Sequence, residues 1–138
     1  MKRRLLLGVA FCCAPLLLAA SQWQELYRFE EGIVAYVDPA SRVADGDIVS
    51  LHTLINWHLP QEDEDGQSYR STLMYTAYDC ADRSEMKEKF LSARDYEKPM
   101  GEGREINVRD DETVWYAVSP DSMEAALWQI ACMPKARP

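Results

Sequence analysis

The pattern of apolar and polar positions predicts β-strands between residues 23 and 96. The clearest alternation runs over residues 48–59. One face of this segment carries Val49, Leu51, Thr53, Ile55, Trp57 and Leu59, and the other carries Ser50, His52, Leu54, Asn56 and His58. A period of two with one mainly apolar face is typical of a half-buried strand. Pro60 is predicted to end it, because proline lacks the amide hydrogen that a strand ladder needs.

Three other segments also have strand character. Residues 23–30 are rich in aromatic residues and residues 33–37 in β-branched ones. The Glu31-Gly32 pair between them reads as a tight turn, so the two segments are predicted to form a hairpin. Asp38-Pro39 is a turn signal that is predicted to end the second strand. Residues 68–78 are predicted to form another strand.

The segment 86–96 carries signals for both helix and strand. Residues 85–89 include good helix formers, whereas Phe90, Ser92 and Arg94 continue a period of two. Because the neighbouring segments are strands, we interpret this one as a strand as well.

The C-terminal segment changes to a helical period. One stripe at spacing i, i+3, i+4 and i+7 is formed by Met123, Ala126, Leu127 and Ile130. Ser119 followed by Pro120 is a predicted helix start, and Ser122 is an alternative cap. The sequence therefore predicts an α+β domain in which one C-terminal helix packs on a face of an antiparallel sheet.

The first 20 residues have the features of a secretory signal peptide. Cations at positions 2–4 precede an apolar run over 5–18 and small residues at 19–21. A membrane anchor is the alternative, but this run is shorter than the ~20 residues that span a bilayer. The predicted domains are therefore a signal peptide at 1–20 and one domain at 21–138. Phe11 precedes Cys12, so neither Cys12 nor Cys13 follows the small residue of a lipoprotein signal, and no lipid anchor is expected.

Acidic residues dominate the charge. The 138 residues include 15 Lys and Arg against 23 Asp and Glu, a formal net charge of −8, and loss of the leader removes three of the cations. A surface this acidic is unsuited to phosphate backbones, which argues against nucleic acid as a partner. The composition, 47% apolar and 28% charged, is that of one globular domain.

Cys80 and Cys132 are the two cysteines that remain after removal of the leader. An even pair in an exported domain is most simply a disulfide, with two free thiols as the alternative. The bond would join the end of a predicted strand to the end of the predicted helix.

No pattern for catalysis, metal or cofactor stands out. His52 and His58 lie six residues apart, ~20 Å along a strand, and so do not share a metal. The acidic loop at 61–67 resembles part of an EF-hand loop, but Gln61 and Thr72 fall where acidic ligands belong. We expect a solvated hairpin loop and no cofactor.

Candidate binding residues come from charge and aromatic character. The acidic loop offers Asp63, Glu64 and Asp65, which repel polyanions and attract basic patches of a protein partner. Tyr36 and Tyr78 are predicted on the sheet face opposite the main apolar one, where they either serve binding or are covered by the core or the helix.

The ordered motifs resemble those of the surface-adhesin protein E family. Residues 34–41, VAYVDPAS, are similar to its YVDPxS turn. Residues 68–71, SYRS, leading to residues 78–80, YDC, are similar to a second segment of the family. The closing pattern is matched by residues 115–118, Pro120, Ser122, Leu127, Trp128 and Cys132. This set spans nearly the whole predicted mature chain.

The resemblance implies a bent antiparallel sheet of about six strands and a disulfide-tethered helix. It also implies an exported bacterial protein, since the founding adhesin of the family is lipid-anchored and binds host plasma and matrix proteins. The present sequence differs in its acidic charge and in lacking a lipobox.

Three hypotheses on function follow. The favoured one is an exported, non-catalytic module that binds an unidentified protein, with the periplasm as its expected location and the outer surface or extracellular space as alternatives. The second is a periplasmic envelope protein of structural or homeostatic role. The third is a carboxylate-dependent hydrolase. A homodimer is compatible with all three.

Overall fold

The computed structural model of the protein describes residues 23–110 and 114–133. The predicted signal peptide, with Cys12 and Cys13, lies outside the described residues, so its cleavage and the lack of a lipid anchor stay predictions. The elements in chain order are β1 Gln24–Arg28, β2 Val34–Asp45, β3 Ile48–Glu62, β4 Ser68–Asp79, β5 Lys87–Tyr96, β6 Glu105–Asp110, β7 Tyr116–Ala117 and helix α1 Met123–Cys132.

The strands form one antiparallel meander. Strands β1 to β6 are neighbours in sequence order, and the short β7 pairs with the start of β5. Helix α1 covers one face of this sheet, which confirms the predicted α+β class. In a meander, every second connection lies at the same end of the sheet. The β1–β2 turn and the β3–β4 and β5–β6 connections therefore share one end.

Two strands run past the prolines that were predicted to end them. Strand β2 continues through Pro39 to Asp45, and its register against β3 shifts between Asp38 and Val43. Strand β3 continues through Pro60, and its register against β4 shifts between Asn56 and Gln61. Both predictions were wrong because each proline lies where the register shifts and the ladder is already interrupted, so its missing amide hydrogen removes no ladder hydrogen bond.

The bulge in β3 also ends its regular alternation. Val49 and Leu51 face the helix and are buried, as their pattern predicts. Leu59 was predicted on the same face, but its side chain is 65% exposed because the register shift comes before it. On the other face Leu54 is fully buried. Its Cδ1 atom packs against Gly101 of the β5–β6 connection, 3.6 Å from the position that a Cβ atom would take there.

Helix α1 begins after Ser122, the second of the two predicted caps. The Ser122 hydroxyl accepts a hydrogen bond from the Ala125 amide at 3.0 Å and donates one to the Ser119 carbonyl at 2.6 Å. The buried stripe is formed by Ala125, Leu127, Trp128 and Ala131. It therefore shares only Leu127 with the predicted stripe. The core beneath it contains Val37, Val49, Leu51 and Tyr78.

A disulfide between Cys80 and Cys132 fixes the helix to the end of β4, which confirms the predicted bond. Their Cα atoms are 5.3 Å apart and the bond closes a separation of 52 residues. Two further contacts hold the same part of the helix. The Trp128 indole donates to the Asp79 carbonyl at 2.9 Å, and the Arg42 guanidinium donates to the Ala131 carbonyl at 2.9 Å.

A polar network crosses four strands on the helix side of the sheet, and the sequence pattern gave no sign of it. At its centre, Asp95 of β5 is only 1% exposed. Its Oδ1 accepts hydrogen bonds from Thr72 of β4 at 2.7 Å and from Arg109 of β6 at 3.0 Å. Asn107 lies 3.5 Å from Oδ2, and Trp57 of β3 donates to Thr72 at 2.9 Å. The network ties the edge strand β6 to the centre of the sheet.

Candidate protein-binding surface

The β3–β4 loop is a tight turn built around Asp63. Its amide donates to the Gln67 carbonyl at 3.0 Å, and its carbonyl accepts from the Gly66 amide at 3.0 Å. Its Oδ1 also accepts from the Asp65 amide at 3.0 Å and the Gln67 amide at 2.7 Å. Gly66 has φ +75°, a conformation that favours glycine. The Asp63 carboxylate therefore stabilises the conformation of the loop.

Glu64 and Asp65 have a different role from Asp63. Both side chains are exposed. Within residues 23–110 and 114–133, neither side chain takes part in an ion pair or a side-chain hydrogen bond. Their charges are therefore free to act on a partner, while Asp63 holds them in place.

The loop belongs to a larger acidic surface. Residues 29–33, 62–67 and 97–104 share one end of the sheet, because alternate connections of the meander lie together. These three segments carry two, four and two acidic residues, and their only cations are Lys98 and Arg104. We call this surface the acidic end. It lies opposite the Asp45–Asp47 turn and the disulfide.

The sheet face that lies away from helix α1 carries a second group of polar and aromatic side chains. His52 and Tyr75 are cross-strand neighbours whose ring centroids are 4.6 Å apart. The Tyr75 hydroxyl shares a 2.6 Å hydrogen bond with Ser50. These two rings, together with Leu73, Ser92 and Arg94, line a shallow cavity of about 270 Å³. The Ser50 contact holds the Tyr75 ring in place on the wall of this cavity.

The structure separates the two tyrosines that the sequence grouped together. Tyr36 pairs with Leu54 and lies half-buried on the face away from the helix. Tyr78 pairs with Val49 on the helix side and is fully buried beneath α1. This burial corrects the expectation that Tyr78 faces a partner, and it agrees with the alternative of helix cover. The regular β3–β4 ladder places Tyr78 beside Val49, on the helix side, and the pattern within one strand does not reveal how two strands pair.

The environment of His52 predicts a pH effect on stability. Burial lowers the pKa of its imidazole, and Arg94 acts in the same direction, whereas Asp38 raises it. As the pH falls, His52 is therefore protonated at a higher pH in the unfolded chain than in the folded one. The contribution of neutral His52 to the unfolding free energy is complete above about pH 6.5. It is lost as the pH falls through the pKa of His52 in the folded protein.

NMR titration of the His52 ring in the folded and urea-unfolded protein measures this difference directly. We expect the folded pKa to be the lower of the two, and His52→Gln to reduce the loss of stability between pH 7 and pH 5. A folded pKa equal to or above the unfolded one would contradict the role assigned to burial.

The chain matches a family of known adhesins. A family model described as surface-adhesin protein E matches residues 23–133. The chain belongs to the surface-adhesin protein E family. This membership confirms the resemblance seen in the motifs and places the chain among exported, adhesin-like proteins. Within the described residues of this family member, no helix is long and apolar enough to cross a membrane.

Solved structures of Haemophilus influenzae protein E have the same fold. The selenomethionine form aligns with a TM-score of 0.64 at 18% identity, covering 83% of this chain and 88% of that one. A second structure of the protein aligns with a TM-score of 0.63 at 19% identity, covering 86% and 89%. No curated protein matches the sequence. At this identity the likeness establishes the adhesin fold and leaves the ligand open.

Proposed function

We propose that this member of the adhesin family is an exported, non-catalytic module that binds a basic surface of a protein partner through its acidic end. Host plasma and matrix proteins are the proposed partners. The observation that carries the proposal is the convergence of three acidic connections at one end of the sheet, with Glu64 and Asp65 free of ion pairs among the described residues. Family membership supports the adhesive character.

Electrostatics explains how such a surface works. Like charges gathered at one end of a small domain create a potential that attracts oppositely charged partners and raises their association rate. The attraction acts over about one Debye length, ~8 Å at physiological salt, so added salt weakens it. Asp63 contributes by keeping the loop rigid, which reduces the entropy lost on binding.

The location of the module is part of the proposal. The signal peptide predicted at residues 1–20 supports export, and Phe11 before Cys12 supports export without lipidation. We propose the periplasm as the first destination, with release to the outer surface or medium required for contact with a host protein. A protein retained in the periplasm would instead serve the envelope.

The charge on the loop provides a specific test. We expect Glu64→Gln with Asp65→Asn to lower the rate of association with immobilised plasma or matrix proteins by about two- to tenfold at low salt. The unfolding free energy should change by less than about 0.5 kcal/mol, because both groups are exposed and form no ion pair with another described residue. Biolayer interferometry over a range of salt concentrations measures the rates.

The matched control makes the same charge change at the other end of the sheet. Asp45→Asn with Asp47→Asn removes two exposed carboxylates that flank the β2–β3 turn. We expect this variant to associate nearly as fast as the wild type. Equal rate losses in the two variants would show a net-charge effect and remove the acidic end from the interface.

A further inference from the structure

A small cavity lies between helix α1 and the sheet, on the face that holds the core. Its volume is about 180 Å³. Its lining includes Thr53 and Tyr78, which are each 0% exposed, and Tyr116, which is 47% exposed. The cavity therefore reaches from a buried floor to the surface near β7.

The floor of the cavity carries two hydroxyls without partners. The Thr53 Oγ1 and Tyr78 Oη atoms are buried and make no hydrogen bond within the described part of the chain. The Thr76 side chain lies close enough to that of Tyr78 to lower its pKa, but the two hydroxyls do not meet the geometry of a hydrogen bond. Burial raises the pKa of Tyr78, so its hydroxyl stays protonated at neutral pH. Buried polar groups of this kind are rare because each costs about 1–3 kcal/mol, and they point to a polar guest.

Two carboxylates line the same cavity. Glu88 comes from β5 and Glu124 from the first turn of α1, and both side chains are half-buried. Among residues 23–110 and 114–133, neither has an ion pair or a side-chain hydrogen bond. Burial, and next the charge of Glu124, raise the pKa of Glu88. The helix dipole stabilises the charge of Glu124, whereas no cation within the described residues pairs with the carboxylate of Glu88.

We propose that this cavity binds an alkylammonium group, such as a lysine side chain or a small aliphatic amine. The carboxylates of Glu88 and Glu124 neutralise the ammonium, and the orphan hydroxyls accept its remaining hydrogen bonds. The rings of Phe90 and Tyr116 also line the cavity, and aromatic rings attract cations. This site is separate from the acidic end and needs no contact there.

Size and ligand chemistry favour an organic cation over a metal ion. A cavity of about 150 Å³ holds benzene, so this one accommodates a guest of about six heavy atoms, the size of an extended lysine side chain. The apolar side chains of Met74 and Leu127 line the cavity and suit methylene groups. No group of three or more metal-binding side chains occurs among the residues that the structure describes.

NMR titration of the folded protein with n-butylammonium chloride at pH 7 tests the proposal. We expect saturable shifts at the amides of Thr53, Tyr78 and Leu127. The uncharged analogue n-butanol should bind at least tenfold more weakly. Equal affinities, or no saturable shift at these positions, would overturn the proposal without reference to any variant.

Variants assign the role of the carboxylates. Glu88→Gln with Glu124→Gln should weaken butylammonium binding at least tenfold. The matched pair Glu25→Gln with Glu105→Gln, two exposed carboxylates that neither line the cavity nor belong to the acidic end, should leave it unchanged. A double cavity variant that binds as tightly as the wild type would overturn the assignment of the site.

A second titration, with a lysine-containing peptide, shows whether the amine comes from a protein or from a small molecule. Acetyl-Gly-Lys-Gly-amide carries the same ammonium on a protein-like backbone. Shifts at the same amides with both probes would indicate a lysine of a protein partner. Shifts with butylammonium alone would support the proposal with a free amine as the guest, and shifts with neither would overturn it.

Discussion

Loss of the Cys80–Cys132 bond should reduce the unfolding free energy by about 4 kcal/mol. The bond closes a separation of 52 residues, and the chain-entropy model assigns this cost to a loop of that size. Domains of this kind have a total stability of about 5–15 kcal/mol, so the loss is a large part of the whole. For a domain of this length it corresponds to a fall in Tm of about 10–20 °C.

The measurement is urea unfolding of the double variant Cys80→Ser with Cys132→Ser, beside the wild type reduced and alkylated. Both should lose similar free energy. The indole NMR signal of Trp128 reports the local effect, because its hydrogen bond to the Asp79 carbonyl sits beside the disulfide. Unchanged unfolding free energy in the double variant would contradict a stabilising bond.

Substitution of the buried carboxylate Asp95→Ala should cost about 3 kcal/mol. The change removes charge-assisted hydrogen bonds from Thr72 and Arg109 and leaves the Thr72 hydroxyl, in a residue that is 3% exposed, without its acceptor. Because the network joins β4, β5 and β6, the edge strand β6 should loosen more than the rest of the sheet.

Urea unfolding combined with amide hydrogen exchange measures both effects. The matched control is Glu105→Ala, which removes an exposed carboxylate of β6 from a 3.4 Å ion pair with Arg94 and should cost less than about 1 kcal/mol. Equal losses in the two variants, or exchange in β6 no faster than in the wild type, would contradict the role given to Asp95.

The sequence predicts the fold class and the strand-rich order because the local patterns agree with the tertiary structure. The period of two in β3 holds from Val49 to Asn56, where the ladder is regular. Pro39 and Pro60 mislead because a bulge depends on how two strands pair, which one strand's pattern does not show. The helical stripe is offset for a similar reason, since packing on the sheet selects the face that includes Trp128 and Ala131.

The candidate sites were predictable in part. The acidic loop is visible in the sequence, but its meeting with residues 29–33 and 97–104 follows only from strand order. The role of Asp63 as the builder of the loop rests on backbone geometry. The pairing of Glu88 with Glu124 brings together residues from a strand and a distant helix, and no local pattern marks it.

The acidic end and the ammonium cavity make different demands on a partner. The acidic end acts through long-range charge and changes the rate of association. The cavity accepts a single group and would add specificity through contacts with its buried hydroxyls and its two carboxylates. A protein with basic residues on its surface satisfies both, so the two proposals are compatible and are tested by separate variants.

Saturable binding of the purified exported protein to immobilised host plasma and matrix proteins tests the account most directly. We expect saturation at physiological salt, weakening as salt is raised, and slower association when Glu64 and Asp65 are neutralised. Binding to neither preparation at physiological or low salt, with specific binding to periplasmic envelope components instead, would contradict the adhesin-like function and favour an envelope role.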